Sequence, residues 1–397
     1  MTDAQRSSRG RRRQESTAGS PIVSIVVLTA VLLGAVLVGI VALGGINRDE
    51  PDPQWRPAAG PAAAPSPSDS PSPQPQPISM SATGDIVLGN APDRLPPDDG
   101  AGFFDSVTEA LAADLVMGNL EEPLTVDTGT GKCAPGSTQC HQFRAPPEYA
   151  AHLRDGGFML LNQANNHGYD YGEAGYRNTQ QAIEEHGMRH TGALDQITVL
   201  DVAGVSVAVA GFSSYSPPNN SLIDIDAAAD LVRRADEQAD LVVVQVHMGA
   251  EGSEMTRVTE GTELFLGENR GDPMAFSRAM IDAGADLIVG HGPHVLRGME
   301  FYQGRLIAYS LGNFAGGGGT LSNNGRLGWG GVLKVSLNPD GSWVDGEFVA
   351  TYMNGNGLPT VDDDRRGLDL VRELSESDFP QTGAQFADDG TISPPLD

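Results

Sequence analysis

The sequence predicts an α/β fold of mixed sheets, set behind one membrane-spanning helix and a proline-rich stalk. Three observations predict it. Between about residues 78 and 357, short apolar runs alternate with stretches that carry apolar residues at helical spacing. Most of the apolar runs stop at an Asp, Asn, Glu or His, which is where an open α/β sheet places its ligands. Ahead of them stand 26 residues without a charge, then a run dominated by Pro, Ala, Ser and Gln.

The first 20 residues carry Arg6, Arg9, Arg11, Arg12 and Arg13 against Asp3 and Glu15, a local charge of +3. Residues 21–46 then read PIVSIVVLTAVLLGAVLVGIVALGGI, longer than the ~20 residues a helix needs to cross the hydrocarbon core. A cleaved signal peptide is the rival reading, but its apolar region is normally only about 7–15 residues long. With the arginines ahead of the helix, the positive-inside rule keeps residues 1–20 as a basic cytoplasmic tail. The chain is therefore expected in the cell membrane as a single-pass protein, with its main domain extracytoplasmic. Residues 47–77 cannot bury a core and favour extended polyproline II, so they form a linker.

The folded domain is expected over residues 78–357. ISMSATGDI, DLVMGNLE, FMLLNQANNH, DLVVVQVHMG and DLIVGHGPH each read as a buried strand ending at polar residues. FFDSVTEALAAD, GYRNTQQAIEEHG, IDAAADLVRRADEQA and DPMAFSRAMIDAG read as the helices between them. Two further segments read as hairpins, turning at Ala203-Gly204 and Gln303-Gly304. Cys133 and Cys140 are close in sequence, on the oxidising side of the membrane, and are expected to form a disulfide. From residue 358 to 397 the chain becomes acidic, with DDDRRG and FADDGTISPPLD, and reads as a loosely ordered tail.

The net charge is −27, so everything beyond the basic tail carries −30. A surface that acidic repels phosphate backbones and excludes nucleic acid as a partner. Chemistry concentrates at the strand ends, where His167, His247, His291 and His294 are joined by Asp85, Asn119, Glu121, Asn165 and Asn166. Imidazole, carboxylate and amide oxygen without thiolate suit a divalent ion such as Zn, Mn, Fe or Mg. One ion, two ions, and a hydrogen-bonded pocket with no metal all remain open.

GDI at Gly84–Ile86, NLEEPLT from Asn119, NNHGYDYG from Asn165, HMGAE from His247, GADLIVGHGPHVL from Gly284 and YSLGNF from Tyr309 follow one another in order. In these blocks the chain resembles the CapA family of poly-γ-glutamate capsule biosynthesis proteins. The resemblance implies a calcineurin-like metallophosphatase fold, a four-layer α-β-β-α sandwich. It also implies a part in making or exporting an anionic surface polymer, with polymer synthase subunits as partners. Carried over by position, Asp85, Glu121, Asn166, His247, His291 and His294 become metal ligands. His167 takes the place of a general acid with Asp170 as its orienting partner. Asn119, Asn165, Glu251, Arg297 and Asn313 fall to the surrounding shell or to substrate contact.

Departures from the wider phosphoesterase pattern bear on that reading. Asp85 is followed by Ile86 and Val87 instead of x-His, and Gly118 by Asn119 instead of Asp. Met248 stands where the family usually has Trp, and Gly292 and Arg297 replace a more common His and Gln. Arg297 is either a cation favouring an anionic ligand or a surface ion pair, and Glu251 either braces a histidine or faces solvent. Gly316–Gly319 is either a mobile loop admitting a long substrate or a simple turn. A polymer-binding or assembly module without turnover, and a metallophosphoesterase acting on another envelope substrate, remain the alternatives.

Overall fold

The computed structural model describes residues 76–396 apart from 135, 138 and 139. The expected basic tail, the membrane helix and nearly all of the linker lie outside the described residues. Among the described residues, no helix is long and apolar enough to cross a membrane.

In chain order the first strands are β1 (Ile78–Val87), β2 (Leu115–Leu120), β3 (Leu160–Asn162), β4 (Arg189–Thr191), β5 (Thr198–Val202), β6 (Val205–Ser213) and β7 (Asn220–Ser221). Next come β8 (Leu241–His247), β9 (Leu264–Phe265), β10 (Glu268–Asn269), β11 (Leu287–His291), β12 (Met299–Tyr302) and β13 (Arg305–Ala308). The rest are β14 (Asn313–Gly316), β15 (Trp329–Leu337), β16 (Trp343–Met353), β17 (Pro359–Val361), β18 (Gln385–Phe386) and β19 (Ile392–Ser393). The helices are α1 (Thr108–Leu111), α2 (Ala150–Asp155), α3 (Gly172–Glu185), α4 (Ile225–Asp236), α5 (Pro273–Asp282) and α6 (Arg366–Asp378).

Two mixed sheets result. One runs β17-β16-β15-β1-β2-β3-β4, with β14 pairing in parallel against the end of β1. Strands β1 to β4 are parallel and β15 to β17 antiparallel, the latter joined by direct returns of chain. The other runs β12-β13-β11-β8-β6-β5, a parallel centre flanked by the antiparallel strands β5 and β12. Both flanking strands belong to the expected hairpins. Each turns on two residues in the left-handed region, Ala203 (φ 52) with Gly204 (φ 87) and Gln303 (φ 50) with Gly304 (φ 78), the geometry that matches strand twist.

Burial follows the alternation of side chains along each strand. Met80, Met117 and Leu160 of the first sheet meet Val207, Val243 and Val289 of the second in one apolar core between the sheets. The outer face of the second sheet packs on α4 and α5 through Val232, Leu231, Phe276 and Met280. The outer face of the first packs on α2 and α3 through Leu153 and Ile183, with Phe103 and Phe104 alongside. Asp224 and Asp272 cap α4 and α5, accepting from the backbone N–H of Ala227 and Ala275. The expected helix over FFDSVTEALAAD is reduced to a 3₁₀ turn, Asp105–Val107, and the one-turn α1.

The C-terminal residues differ from expectation. Residues 358–396 are folded: β17 extends the first sheet, and α6 sets Leu368, Val371 and Leu374 into the core between the sheets. Phe386 and Ile392 of the β18–β19 pair join them. Acidic composition concealed an amphipathic helix whose apolar residues recur at i, i+3 and i+6 while Asp369 and Glu373 face solvent. Gly316–Gly319 is a tight turn, with Gly317–Gly319 in a 3₁₀ helix and Arg94 donating to the Gly319 carbonyl. It is the simple-turn reading of that segment.

Candidate metal centre

Strand register assembles the centre. At the carboxyl end of β1, Asp85 lies in register with Asn313 of β14 on one side and Asn119 of β2 on the other, and Asn119 with Asn162 of β3. In the second sheet His247 of β8 lies in register with His291 of β11 and Ser213 of β6. Each sheet thus ends in a polar row, and the loops after β2, β3, β8 and β11 bring Glu121, Asn166, Glu251 and His294 to the same place.

Asp85, Glu121 and His247, all buried, offer ligand atoms within 4.8 Å of one another. His247 Nε2 lies 3.9 Å from Glu121 Oε1, and His291 Nδ1 3.8 Å from Asp85 Oδ1. His294 donates from Nδ1 towards Asn313 Oδ1 at 2.9 Å and stands 3.1 Å from Asp85 Oδ2. Its Nε2 faces Glu121 Oε1 at 3.7 Å and Glu251 Oε2 at 3.8 Å. Gly292, at φ 111, follows His291 closely enough that a Cβ would sit 3.0 Å from His247 Cδ2, so a side chain there would press on the imidazole.

Asn119 does not offer a free oxygen. Its Oδ1 accepts from Asn162 Nδ2 and Asn165 Nδ2, both at 3.0 Å, while its Nδ2 donates to Asp85 Oδ1 at 2.8 Å. It therefore fixes the Asp85 carboxylate. Asn165 shapes the next turn, accepting from the N–H groups of His167 and Gly168. Asn166 donates weakly to Glu251 at 3.5 Å, and its own Oδ1 is buried without a partner.

Beside Asn166, His167 Nδ1 pairs with Asp170 Oδ2 at 2.7 Å, the contact expected from the sequence. Lys132 Nζ lies 2.6 Å from Asp170 Oδ1 and donates to the Asn166 carbonyl at 3.0 Å. Phe143 donates its N–H to Asp170 Oδ2 and packs its ring, tilted by 33°, with its centroid 4.4 Å from that of the His167 imidazole. Cys133 and Cys140 form the expected disulfide, which ties the segment between Lys132 and Phe143.

Arg297 differs from both of its sequence readings. It is fully buried, paired at both ends of the guanidinium with Glu263 at 2.8 Å, and donates to the Met255 and Ala250 carbonyls. It braces the loop after β8 and does not face the centre's open side. Glu251, half of the same loop, is instead held by Arg270 Nη2 at 2.6 Å. Sequence reasoning overlooked Arg270, Lys132 and Asn162. The only signals for them were a lysine next to a cysteine, a lone arginine after a short hairpin, and an asparagine at a strand end.

Burial and mutual charge split the titrations. Burial pushes Asp85 up, but the His294 hydrogen bond and the charges of His294, His247 and His291 outweigh it, giving about 2. Burial, reinforced by the charge of Asp85, holds Glu121 well above the usual carboxylate range. Burial lowers His247 well below its ordinary value and His291 to about 4. Burial also opposes the charge on His294, yet Glu121, Asp85 and Glu251 carry it up to about 10. His167 is lowered by burial against the pull of Asp170.

These residues fit a divalent cation. Both oxygens of Glu121, both ring nitrogens of His247 and of His291, and Asn166 Oδ1 are buried with no hydrogen-bond partner. Buried polar atoms without partners cost free energy, and a cation would engage one ring nitrogen of each histidine together with carboxylate and amide oxygens. The donors are nitrogen and oxygen only, which matches Zn, Mn, Fe or Mg. Surface cavities of about 390 and 470 Å³ lie elsewhere, the first lined by Lys334 and Glu347 and the second by Arg278 and Tyr302. The centre meets solvent only through its half-buried members, Asn166, Glu251 and His294.

The family model for bacterial capsule synthesis protein PGA_cap matches residues 79–317, which hold every residue of this centre. The PGA biosynthesis protein CapA of Bacillus subtilis (strain 168) is 30% identical over 266 residues, 62% of this chain and 63% of that protein. The capsule biosynthesis protein CapA of Bacillus anthracis is 34% identical over 191 residues, 43% of each chain. A probable polyglutamine synthesis accessory protein of Mycobacterium tuberculosis is 29% identical over 178 residues, 38% of this chain and 43% of that protein. This chain thus spans between about two fifths and three fifths of the length of these relatives. Among solved structures, a putative 5'-nucleotidase from Staphylococcus aureus overlaps 76% of this chain and 58% of its own, with a TM-score of 0.40 and 13% identity. The family match covers more than half of the chain, and the chain belongs to the bacterial capsule synthesis protein PGA_cap family.

Proposed function

We propose that this chain serves the synthesis or export of an anionic capsule polymer of the poly-γ-glutamate kind, from the outer side of the cell membrane, with a metal-dependent hydrolase-type centre. The observation that carries the reading is the buried set of unpartnered nitrogen and oxygen atoms on Asp85, Glu121, Asn166, His247 and His291 beside a paired His167 and Asp170. Names of the relatives, which print PGA, capsule and polyglutamine synthesis, support a part in surface-polymer synthesis. The layering of two sheets between helical faces supports a metallophosphatase-like, four-layer arrangement. The uncharged run at 21–46 behind five arginines supports the anchor and its orientation, and the disulfide suits an oxidising compartment.

Asp85, Glu121, Asn166, His247, His291 and His294 would hold the cation, with Asn119 and Asn313 orienting Asp85 and His294. A cation bound there supplies a Lewis acid that polarises a phosphoryl or carbonyl oxygen. His167, with Nδ1 held by Asp170, presents Nε2 as a proton donor or acceptor, and Lys132 pairs with the other oxygen of Asp170. One observation favours a non-catalytic polymer-binding module as second reading: Asn119, at the position of an expected carboxylate ligand, has its oxygen consumed by Asn162 and Asn165. The site is then short of a full two-metal set.

Polymer output separates them. In cells that depend on this chain for surface polymer, the His247→Ala, His291→Ala double variant is expected to give none at equal protein level. Polymer at the parent's yield would overturn the metal-dependent reading.

A further inference from the structure

The hairpin of β9 and β10 ends in Arg270, a residue 3% exposed that touches neither the polymer reading nor the ligand set directly. Its guanidinium lies between two rings, Tyr215 and Phe265, each with its centroid 5.3 Å from Arg270 Cζ. Nε stands 3.4 Å from Glu268 Oε2, and Glu268 in turn accepts from the Tyr215 hydroxyl at 2.5 Å. Nη2 donates to Glu251 Oε1 at 2.6 Å. Nη1 and Nε are both buried with no hydrogen-bond partner.

Such a placement does more than neutralise Glu251. Two rings fix the guanidinium plane and two carboxylates fix its rotation, so the side chain is held rigid before any ligand arrives. The end it presents is turned to Glu251, which neighbours Asn166 Nδ2 and His294 Nε2, the members through which the centre opens. A guanidinium has five N–H donors; Glu251 accepts from Nη2, Glu268 stands beside Nε without a hydrogen bond, and the donors of Nη1 are spare. Lys132, one of only two lysines in the sequence, is spent on Asp170 and the Asn166 carbonyl, which leaves the unpartnered end of Arg270 as the cationic donor beside Glu251.

We infer that Arg270 is the specificity-determining residue of this centre, binding through Nη1 an oxyanion group, carboxylate or phosphate, that the substrate carries next to the group held at the cation. The inference rests on the proposal that the centre is a ligand site for an anionic substrate, and it adds which residue reads the anion. Arg270 acts on binding; the chemistry stays with the residues named above.

The test is calorimetric titration of the full-length chain, loaded with manganese or zinc, with inorganic phosphate and separately with succinate. The parent is expected to bind one of them, phosphate marking a phosphoryl substrate and succinate a carboxylate one. Arg270→Met should weaken that binding by about tenfold or more, the size of a lost charge-assisted hydrogen bond, with metal content unchanged. Binding within about twofold of the parent overturns the proposal. Should Arg270→Met fail to fold, Arg270→Lys decides: it keeps the charge but not the fork, so weaker anion binding supports the proposal and unaltered binding overturns it. A parent that takes up metal but binds neither anion overturns this inference and leaves the metal centre standing. A parent that takes up no metal strikes the proposed function instead, and the same titrations on the metal-free chain, with and without Arg270, still decide the role of Arg270.

Discussion

Asp85 and Glu121 are both buried, a few ångströms apart, and are driven in opposite directions. Hydrogen bonding and charge from three histidines hold Asp85 at about 2 against its burial, while burial and Asp85 itself raise Glu121. His294, up to about 10, carries a proton at neutral pH that the neutral His247 and His291 lack. A cation entering this set must displace the proton of His294, so its affinity should rise with pH from acid towards about 10. Calorimetry of zinc binding in buffers of different ionisation enthalpy should show net proton release, and affinity independent of pH would contradict it. At this scale much was legible. That Asp85, Glu121, His247, His291 and His294 would converge, and that His167 would meet Asp170, could be read because each sits in a short motif at or after a strand end. Arg270 and Arg297 could not, since what each touches, Glu251 and Glu263, is set by a loop path that sequence spacing does not encode.

Strand ends and turns carry the next level. Strands β1, β2, β8 and β11 end where apolar runs met Asp, Asn or His, and both hairpins turn on the expected Ala-Gly and Gln-Gly pairs. The loop after β8 was opaque, although it positions Glu251. It is held by Arg297, buried and doubly paired to Glu263 with further bonds to Met255 and Ala250. Arg297→Ala leaves Glu263 without its partner in a nearly dry setting and should lower stability by about 3–5 kcal/mol. Equilibrium unfolding in urea measures it. A loss under about 1 kcal/mol would mean that the loop does not depend on the pair.

For the whole molecule, the three apolar cores stack in order: helices, sheet, sheet, helices. Alternating strand and helix patterns foretold an α/β fold of mixed sheets and the resemblance implied its layers, but net acidity misrepresented residues 358–396, because charge on an exposed helix face dominates composition while Leu368, Val371 and Leu374 decide packing. Leu374→Ala should therefore cost about 2–5 kcal/mol, as for other buried leucines. A chain ending at Gly357 should lose its cooperative thermal transition. Melting of that truncated chain at the parent's temperature would restore the reading of a dispensable tail.

The central claim is that two sheets bring buried nitrogen and oxygen ligands together to hold a cation. Its most direct test is metal content by plasma mass spectrometry, on the full-length chain purified without chelator beside the His247→Ala, His291→Ala variant. The account predicts about one or more divalent ions per parent chain and their loss in the variant. A parent without metal, which takes up none when zinc, manganese, iron or magnesium is supplied, would contradict it.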